Sequence, residues 1–125
     1  MRVAIVDDDS SVRNALRRLL ITFDFVADTY ASASEFLAGL HEKAPDCVVA
    51  DLRMPEVSGV ELLRTLAGSK AKVPVIIMTA FDAPKSRADC QTLGAVAFLQ
   101  KPFSDNTLLC AINAAVKAPD VGAQR

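Results

Sequence analysis

Short apolar runs recur along the chain at similar intervals. They are Val3–Val6, Phe25–Ala27, Cys47–Ala50, Val73–Met78 and Ala95–Leu99. Each run is mostly rich in β-branched residues and is followed by a longer stretch with polar interruptions, which predicts β-strands joined by crossover helices. Because evenly apolar runs are typical of strands covered on both faces, the pattern favours a buried parallel sheet.

The stretch after the first run has helical spacing. Its apolar residues recur at every third or fourth position and form one stripe: Val12, Leu16, Leu19, Leu20 and Phe23. This stripe predicts an amphipathic helix. The arginines of the same stretch lie mostly outside the stripe, which is typical of a solvated face: Arg13, Arg17 and Arg18.

Four further helices are indicated by caps and stripes. Ser32-x-x-Glu35 and Ser58-x-x-Glu61 are capping-box patterns that place helix starts after the second and third strands. The last helix has its own apolar stripe, with Ser104 or Asp105 as its N-cap: Leu108, Leu109, Ile112 and Val116. The stretch 83–93 has only a thin apolar face, so we expect its helix to be the most loosely held.

The predicted fold is therefore α/β: a (βα)₅ domain over residues 1–117, with a doubly wound five-stranded parallel sheet and helices on both sides. Residues 118–125 have no periodicity and are interpreted as a flexible tail or linker stub. In such sheets ligands bind at the carboxyl ends of the strands, near the point where strand order reverses.

Composition narrows the classes of function. The 125 residues are 51% hydrophobic, and 15 acidic against 14 basic residues leave a net charge of -1. This balance excludes the broad basic field that nonspecific nucleic-acid or membrane binding requires. No apolar run reaches the roughly 18 residues of a membrane span, and no signal peptide is present, so a cytoplasmic location is expected.

Cysteine and histidine offer little chemistry. Cys47, Cys90 and Cys110 are widely spaced among apolar neighbours, which favours small buried hydrophobes over disulfides or a metal cluster. The one histidine, His41, lies at the end of the second predicted helix, where a solvated role or an interaction with the helix dipole is expected.

Polar residues follow the predicted strands. Asp7, Asp8 and Asp9 come after the first strand, and Asp51 ends the third. Asp9 is interpreted as a helix cap. Carboxylates that converge from separate strands repel one another unless a cation neutralises them, and a few oxygen ligands are typical of Mg²⁺ or Mn²⁺.

Two more polar side chains are expected at the same edge. Thr79 ends the fourth strand and supplies a hydroxyl donor, and Lys101 follows the fifth and supplies a point charge. Together with a metal and a carboxylate they predict a site for phosphoryl transfer.

This ordered set resembles the receiver domain of bacterial two-component response regulators. The motifs that carry the resemblance are 5–9 (Ile-Val-Asp-Asp-Asp), 49–55 (Val-Ala-Asp-Leu-Arg-Met-Pro), 78–80 (Met-Thr-Ala) and 101–103 (Lys-Pro-Phe). Segments 31–37 and 58–63, together with 51–55, resemble the FixJ/NarL-type subfamily in particular. The resemblance covers residues 1 to about 117 and implies a flavodoxin-like receiver fold.

The resemblance also implies roles for single residues. Asp51 corresponds to the phospho-acceptor, Asp7 and Asp8 to the acid pair for Mg²⁺, with Asp8 the more direct ligand, and the Arg53 carbonyl to a further metal ligand. Thr79 and Lys101, whose peptide bond to Pro102 is cis in this family, correspond to the groups that hold the phosphoryl oxygens. Phe98 corresponds to the switch aromatic.

The same resemblance implies partners and an output. A sensor histidine kinase is the expected phosphodonor, docking against the first helix, and the surface of the fourth helix, fifth strand and fifth helix is expected to change on phosphorylation and to support homodimerisation. The chain alone is not expected to bind DNA or a membrane. Arg53 and Phe81 depart from the commonest receiver pattern, and their bulk predicts slow loss of the phosphoryl group.

Two other functions fit part of the pattern. Asp7-x-Asp9, Thr79 and Lys101 also match, in order, the motifs of haloacid-dehalogenase-type phosphatases. Those enzymes usually need a further acidic pair and a cap, however, and a phosphatase function would not explain the motif around Asp51. A phosphate-independent pseudo-receiver that only docks partners is the second alternative. Such proteins typically lose an acid or the lysine, and this chain keeps them all.

Overall fold

Strands and helices alternate along the computed structural model, which describes residues 1–40, 42, 44–54, 56–69, 73–80 and 84–117. The described elements are β1 (Arg2–Val6), α1 (Ser10–Thr22), β2 (Val26–Tyr30), α2 (Ala33–Gly39), β3 (Cys47–Asp51), α3 (Gly59–Ala67), β4 (Val75–Thr79), α4 (Pro84–Thr92), β5 (Ala97–Gln100) and α5 (Asp105–Lys117). The predicted (βα)₅ order is confirmed.

The strands form one parallel sheet in the order β2-β1-β3-β4-β5. The order reverses between β1 and β3, and there Val6 pairs with Ala50, so the residues that follow, Asp7 and Asp51, emerge side by side. Asp51 in turn pairs with Met78, which places Thr79 at the same edge. The register therefore collects the predicted site residues where strand order changes.

Alternate side chains of the central strands build a core on each face of the sheet. Val6 and Ala50 point into a cluster with residues of α2, α3 and α4, among them Phe36 and Leu62. The intervening residues of β1 and β3 pack against α1 and α5, with Ile112 fully buried. The prediction of a sheet covered on both faces is confirmed for β1, β3 and β4.

The two edge strands differ from that prediction. Val26 at the start of β2 is exposed, and the residues of β5 are only partly buried or exposed. Each of these strands has a neighbour on one side only, so its outer edge and part of its faces meet solvent.

The helix starts follow the predicted caps. Asp9 accepts hydrogen bonds from the N–H groups of Ser11 and Val12, and Ser32 and Ser58 accept from the N–H groups three residues later. For α5, Ser104 rather than Asp105 is the cap, because its Oγ accepts from the Thr107 N–H at 3.0 Å.

Two side chains predicted to be buried are exposed. Phe23 is 52% exposed because α1 ends at Thr22, and the residue after the helix end leaves the stripe. Cys110 is exposed on α5, since it lies two residues from both Leu108 and Ile112 and so falls off their stripe. Cys47 and Cys90 are buried and free, as expected.

Several predictions concern residues outside the described ranges. His41, Phe81, Ala83 at the predicted start of the fourth helix, and the predicted tail 118–125 lie outside the described residues. As expected for α4, Cys90 is its one buried residue among those the structure describes. Within the described ranges, every helix is too short or too polar to cross a membrane.

Candidate functional site

A cluster of three carboxylates lies at the carboxyl edge of the sheet. One oxygen from each of Asp7, Asp8 and Asp51 lies within 4.8 Å of the others. Asp7 is buried, Asp51 is half-buried and Asp8 is exposed. This donor set consists only of oxygen atoms and opens to solvent at Asp8, which fits a small hard cation such as Mg²⁺ that keeps several of its water ligands.

Asp7 is held firmly at the base of this cluster. Its Oδ1 accepts a hydrogen bond from the Asp9 N–H at 2.9 Å, and its Oδ2 accepts one from the Lys101 Nζ at 3.2 Å. Because its side chain is 1% exposed and both of its oxygens are engaged, Asp7 is better suited to shaping the site than to attacking a substrate.

Lys101 lies between two of the acids. Its Nζ is 3.2 Å from Asp7 Oδ2 and 3.8 Å from Asp51 Oδ2, with the side chain 23% exposed. Its backbone N–H donates to the Thr79 carbonyl at 2.7 Å, and its peptide bond to Pro102 is cis, as the resemblance implied. The ammonium group therefore partly neutralises the negative charge of the cluster, and it is close enough to contact an oxygen of a group attached to the Asp51 carboxylate.

Burial changes the acidity of Asp51. Desolvation raises the pKa of its carboxyl above the ordinary value of 3.8, and the nearby charges of Asp7 and Asp8 add to that rise. The Lys101 ammonium and the Arg53 N–H, which lies 3.4 Å from Asp51 Oδ1, act in the opposite direction. The ionised form of Asp51 is thus disfavoured relative to its protonated form in the metal-free fold, and a bound cation would favour the ionised form.

A pH dependence follows from this raised pKa. The folded chain holds the Asp51 proton more tightly than the unfolded chain does, so the fold loses stability as the pH rises above 3.8 towards the raised pKa. Asp51→Asn removes this loss. We expect its gain in unfolding free energy over wild type, measured by urea titration without divalent metal, to grow across that window. A gain independent of pH, or one that shrinks, would contradict the expectation.

Gly59 allows α3 to begin close to the end of β3. A Cβ on Gly59 would lie 2.9 Å from both the Asp51 carbonyl oxygen and the Leu52 Cα, and the Gly59 N–H donates to the Leu52 carbonyl at 2.8 Å. Both close atoms belong to the backbone, so no side-chain rotation relieves the contact.

We therefore expect Gly59→Ala to lower the unfolding free energy by about 1–3 kcal/mol, because α3 or the end of β3 must shift. Gly68→Ala is the matched control, since its Cβ would approach neighbours only to 3.8 Å. Urea unfolding of both variants measures the difference. Equal stability of the two would show that the close approach at Gly59 is not constraining.

The remaining predicted residues lie on β4, on β5 and just after β3. Thr79 is fully buried at the end of β4. Phe98 on β5 is partly buried, and the Arg87 guanidinium of α4 lies 4.7 Å from the centre of its ring. Arg53 is exposed beside Asp51, and a metal-binding role for its carbonyl stays a prediction.

Arg13 makes a contact that the sequence pattern does not indicate. The pattern predicts a solvated position for Arg13, but its guanidinium turns back along α1 and donates to the Asp7 carbonyl at 2.7 Å. Periodicity describes where a Cα lies on the helix, and it carries no information on where a long arginine side chain ends.

Comparison with known sequences agrees with this geometry. The family model for the response regulator receiver domain matches residues 3–113. The transcriptional regulatory protein FixJ of Bradyrhizobium diazoefficiens is 34% identical over 122 residues, which are 98% of this chain and 60% of that protein. The transcriptional regulatory protein TdiR of Thauera aromatica is 39% identical over 114 residues, 91% of this chain and 50% of that protein. The chain thus spans only 50–60% of the length of these relatives.

Solved structures show the same fold. FixJ-N is 37% identical and superposes with a TM-score of 0.88, covering 96% of each chain. Full-length FixJ from B. japonicum is 33% identical with a TM-score of 0.89, over 98% of this chain and 61% of that one. A response regulator receiver protein from Burkholderia phymatum is 42% identical with a TM-score of 0.82, covering 96% of this chain and 98% of that one. The flavodoxin-like receiver fold is therefore confirmed.

Proposed function

This chain belongs to the response regulator receiver domain family of two-component signalling, and from that premise we propose that Asp51 accepts a phosphoryl group from a sensor histidine kinase. Receiver domains are signalling switches rather than enzymes with a released product. The observation that carries the proposal is the convergence of Asp51 with Asp7 and Asp8 within 4.8 Å, while Lys101 Nζ lies 3.8 Å from the acceptor.

The chemistry assigned to the chain is positioning and charge neutralisation. An oxygen of Asp51 attacks the phosphorus atom, the new O–P bond forms as the bond from phosphorus to the donor nitrogen breaks, and the donor leaves with that electron pair. Lys101 and the Thr79 hydroxyl are assigned to the phosphoryl oxygens. Asp7, Asp8 and Asp51 would hold Mg²⁺, which supplies positive charge for the phosphoryl oxygens when bound. Mn²⁺ has the same ligand preference and can take the place of Mg²⁺.

The proposal is tested by intact-mass measurement. We expect the purified chain to gain the mass of one phosphoryl group when treated with a small acyl or amido phosphate and Mg²⁺, and to gain none when a chelator removes the metal. A small donor avoids the need for the cognate kinase. Labelling that is equally fast with the chelator present would contradict the metal-dependent site.

The output is proposed to lie on the surface of α4, β5 and α5. Supporting this, α4 buries only Cys90 among its described residues, so a small energy difference between positions of α4 is expected. Phe98 on β5 packs beside Arg87 of α4, so a change in the orientation of Phe98 would alter a contact between β5 and α4. Phosphorylation would change this surface and promote a homodimer. Sedimentation with and without a phosphoryl mimic measures it, and Phe98→Ala should weaken any shift.

The relatives suggest what such a switch controls. FixJ and TdiR are transcriptional regulatory proteins, and this chain matches 60% and 50% of their lengths, so control of an effector domain in transcription is a proposal for this receiver. DNA binding is not proposed for the chain alone, whose net charge is -1. Its cytoplasmic location stays a prediction.

The two alternatives make different claims about the acceptor. A haloacid-dehalogenase-type phosphatase would use Asp7 as its nucleophile, but that carboxylate is 1% exposed and both its oxygens accept hydrogen bonds. A pseudo-receiver would gain no phosphoryl mass under any condition. Identifying the labelled aspartate by fragmentation of the phosphorylated chain therefore separates all three functions.

A further inference from the structure

We propose that Arg13 is a positioning residue for the metal site: its guanidinium holds the β1–α1 loop in the conformation that places the Asp8 carboxylate beside those of Asp7 and Asp51. This role rests on the proposed function, because the metal site belongs to that function. The contact that carries it is the hydrogen bond from Arg13 Nη1 to the Asp7 carbonyl at 2.7 Å, in a part-buried setting.

The loop that Arg13 touches is short and crowded with negative charge. It consists of three consecutive aspartates, Asp7 to Asp9. At one end the Asp7 N–H donates to the Tyr30 carbonyl at 3.1 Å and continues the ladder between β1 and β2. At the other end Asp9 caps α1. Asp8 is the residue between these fixed ends, so the loop's backbone torsions decide where its exposed carboxylate points.

The direction of the Asp7 carbonyl is coupled to those backbone torsions. Because the peptide unit is planar, the Asp7 carbonyl carbon and oxygen lie in one plane with the nitrogen and Cα of Asp8. A donor that fixes the direction of this oxygen therefore fixes the rotation of the plane from which the Asp8 side chain departs. A charged guanidinium makes a stronger hydrogen bond here than a neutral donor would.

Charge alone predicts the opposite effect on metal binding. A guanidinium that contacts the acidic β1–α1 loop repels a cation bound there, so if Arg13 acted only through its charge, removing it would tighten Mg²⁺ binding. If Arg13 positions Asp8, removing it weakens Mg²⁺ binding despite the loss of that repulsion. The sign of the change in affinity therefore separates the two roles.

The experiment compares Arg13→Met with Arg17→Met. Methionine keeps an unbranched stem and high helix propensity, and Arg17 is an exposed arginine of the same helix, so the control removes the same charge. Mg²⁺ titration followed by amide chemical shifts gives the dissociation constant without any phosphorylation. We expect Arg13→Met to bind Mg²⁺ about tenfold more weakly, and Arg17→Met to bind it equally well or slightly better.

A second measurement needs no metal. The Asp9 N–H donates to Asp7 Oδ1, so loosening of the loop exposes it, and its hydrogen exchange should be faster in Arg13→Met than in wild type or Arg17→Met. Arg13→Lys keeps the charge but lacks the planar fork, so it should bind Mg²⁺ with an affinity between those of wild type and Arg13→Met.

Equal or tighter Mg²⁺ binding by Arg13→Met would overturn the positioning role. Should that variant not fold, Arg13→Lys decides: weaker binding than wild type supports positioning, and unchanged binding overturns it. Failure of the proposed function is distinguishable, because then the wild-type chain itself would bind no Mg²⁺, and the role of Arg13 would fall with that result.

Discussion

Asp51→Asn is expected to abolish phosphoryl labelling of the chain. The amide is nearly the same size as the carboxylate, so packing at the end of β3 is preserved, but the amide lacks the negative oxygen that attacks phosphorus. Asp7 is buried with both oxygens engaged and cannot replace it. Intact mass after treatment with a small phosphodonor and Mg²⁺ should therefore show only the unmodified chain, with the label reduced from one group to background.

Asp9→Asn is the matched control for this variant. It removes a carboxylate from the same edge of the sheet, and asparagine is as good a helix cap as aspartate, so the start of α1 should be unchanged. We expect it to be labelled close to the wild-type level. Undiminished labelling of Asp51→Asn would place the acceptor elsewhere and revive the phosphatase interpretation with Asp7 as nucleophile.

Much of the fold was predictable because burial leaves a strong periodic signal. The central runs Val3–Val6 and Cys47–Ala50 are apolar on both faces, and in the structure each face meets helices. The capping serines Ser32 and Ser58 mark helix starts because few residue types satisfy the free N–H groups there. The sequence therefore specified the order of the elements and the starts of the capped helices, whereas the strand bounds differ from the apolar runs by one to three residues.

The proximity of the site residues was predictable for a topological reason. Asp7, Asp51, Thr79 and Lys101 each follow or end a parallel strand, and the carboxyl ends of such strands share one edge. The strand order itself was not encoded in periodicity. It is the order β2-β1-β3-β4-β5 that makes β1 and β3 neighbours and sets Asp7 beside Asp51.

What could not be predicted lies at helix ends and in long side chains. The exposure of Phe23 depends on where α1 stops, which apolar spacing defines only to within a residue or two. Cys110 is an apolar residue among apolar neighbours, but it lies outside the buried stripe of α5. Arg13 reaches the Asp7 carbonyl through a flexible side chain, and no sequence pattern indicates that contact.

Lys101→Met should slow phosphorylation by about 100- to 1,000-fold, the loss typical when one charge-stabilising donor is removed from a transition state. The Lys101 ammonium lies 3.2 Å from Asp7 and 3.8 Å from Asp51, close enough to contact a phosphoryl oxygen on the latter. Methionine fills much of the space of the lysine stem without its charge. Labelling rates at saturating Mg²⁺ measure the effect, with exposed Lys85→Met on α4 as the control.

Metal binding should respond in the opposite direction, which distinguishes Lys101 from a metal ligand. Without the ammonium, three carboxylates face one another with less compensation, so the metal-free fold should melt at a lower temperature and Mg²⁺ should bind at least as tightly as in wild type. Asp8→Asn, by contrast, should lose metal affinity and labelling together. If Lys101→Met lost Mg²⁺ affinity in parallel with its labelling rate, the slow reaction would reflect a disordered site, and Lys101 would not be the group that stabilises the transferring phosphoryl oxygens.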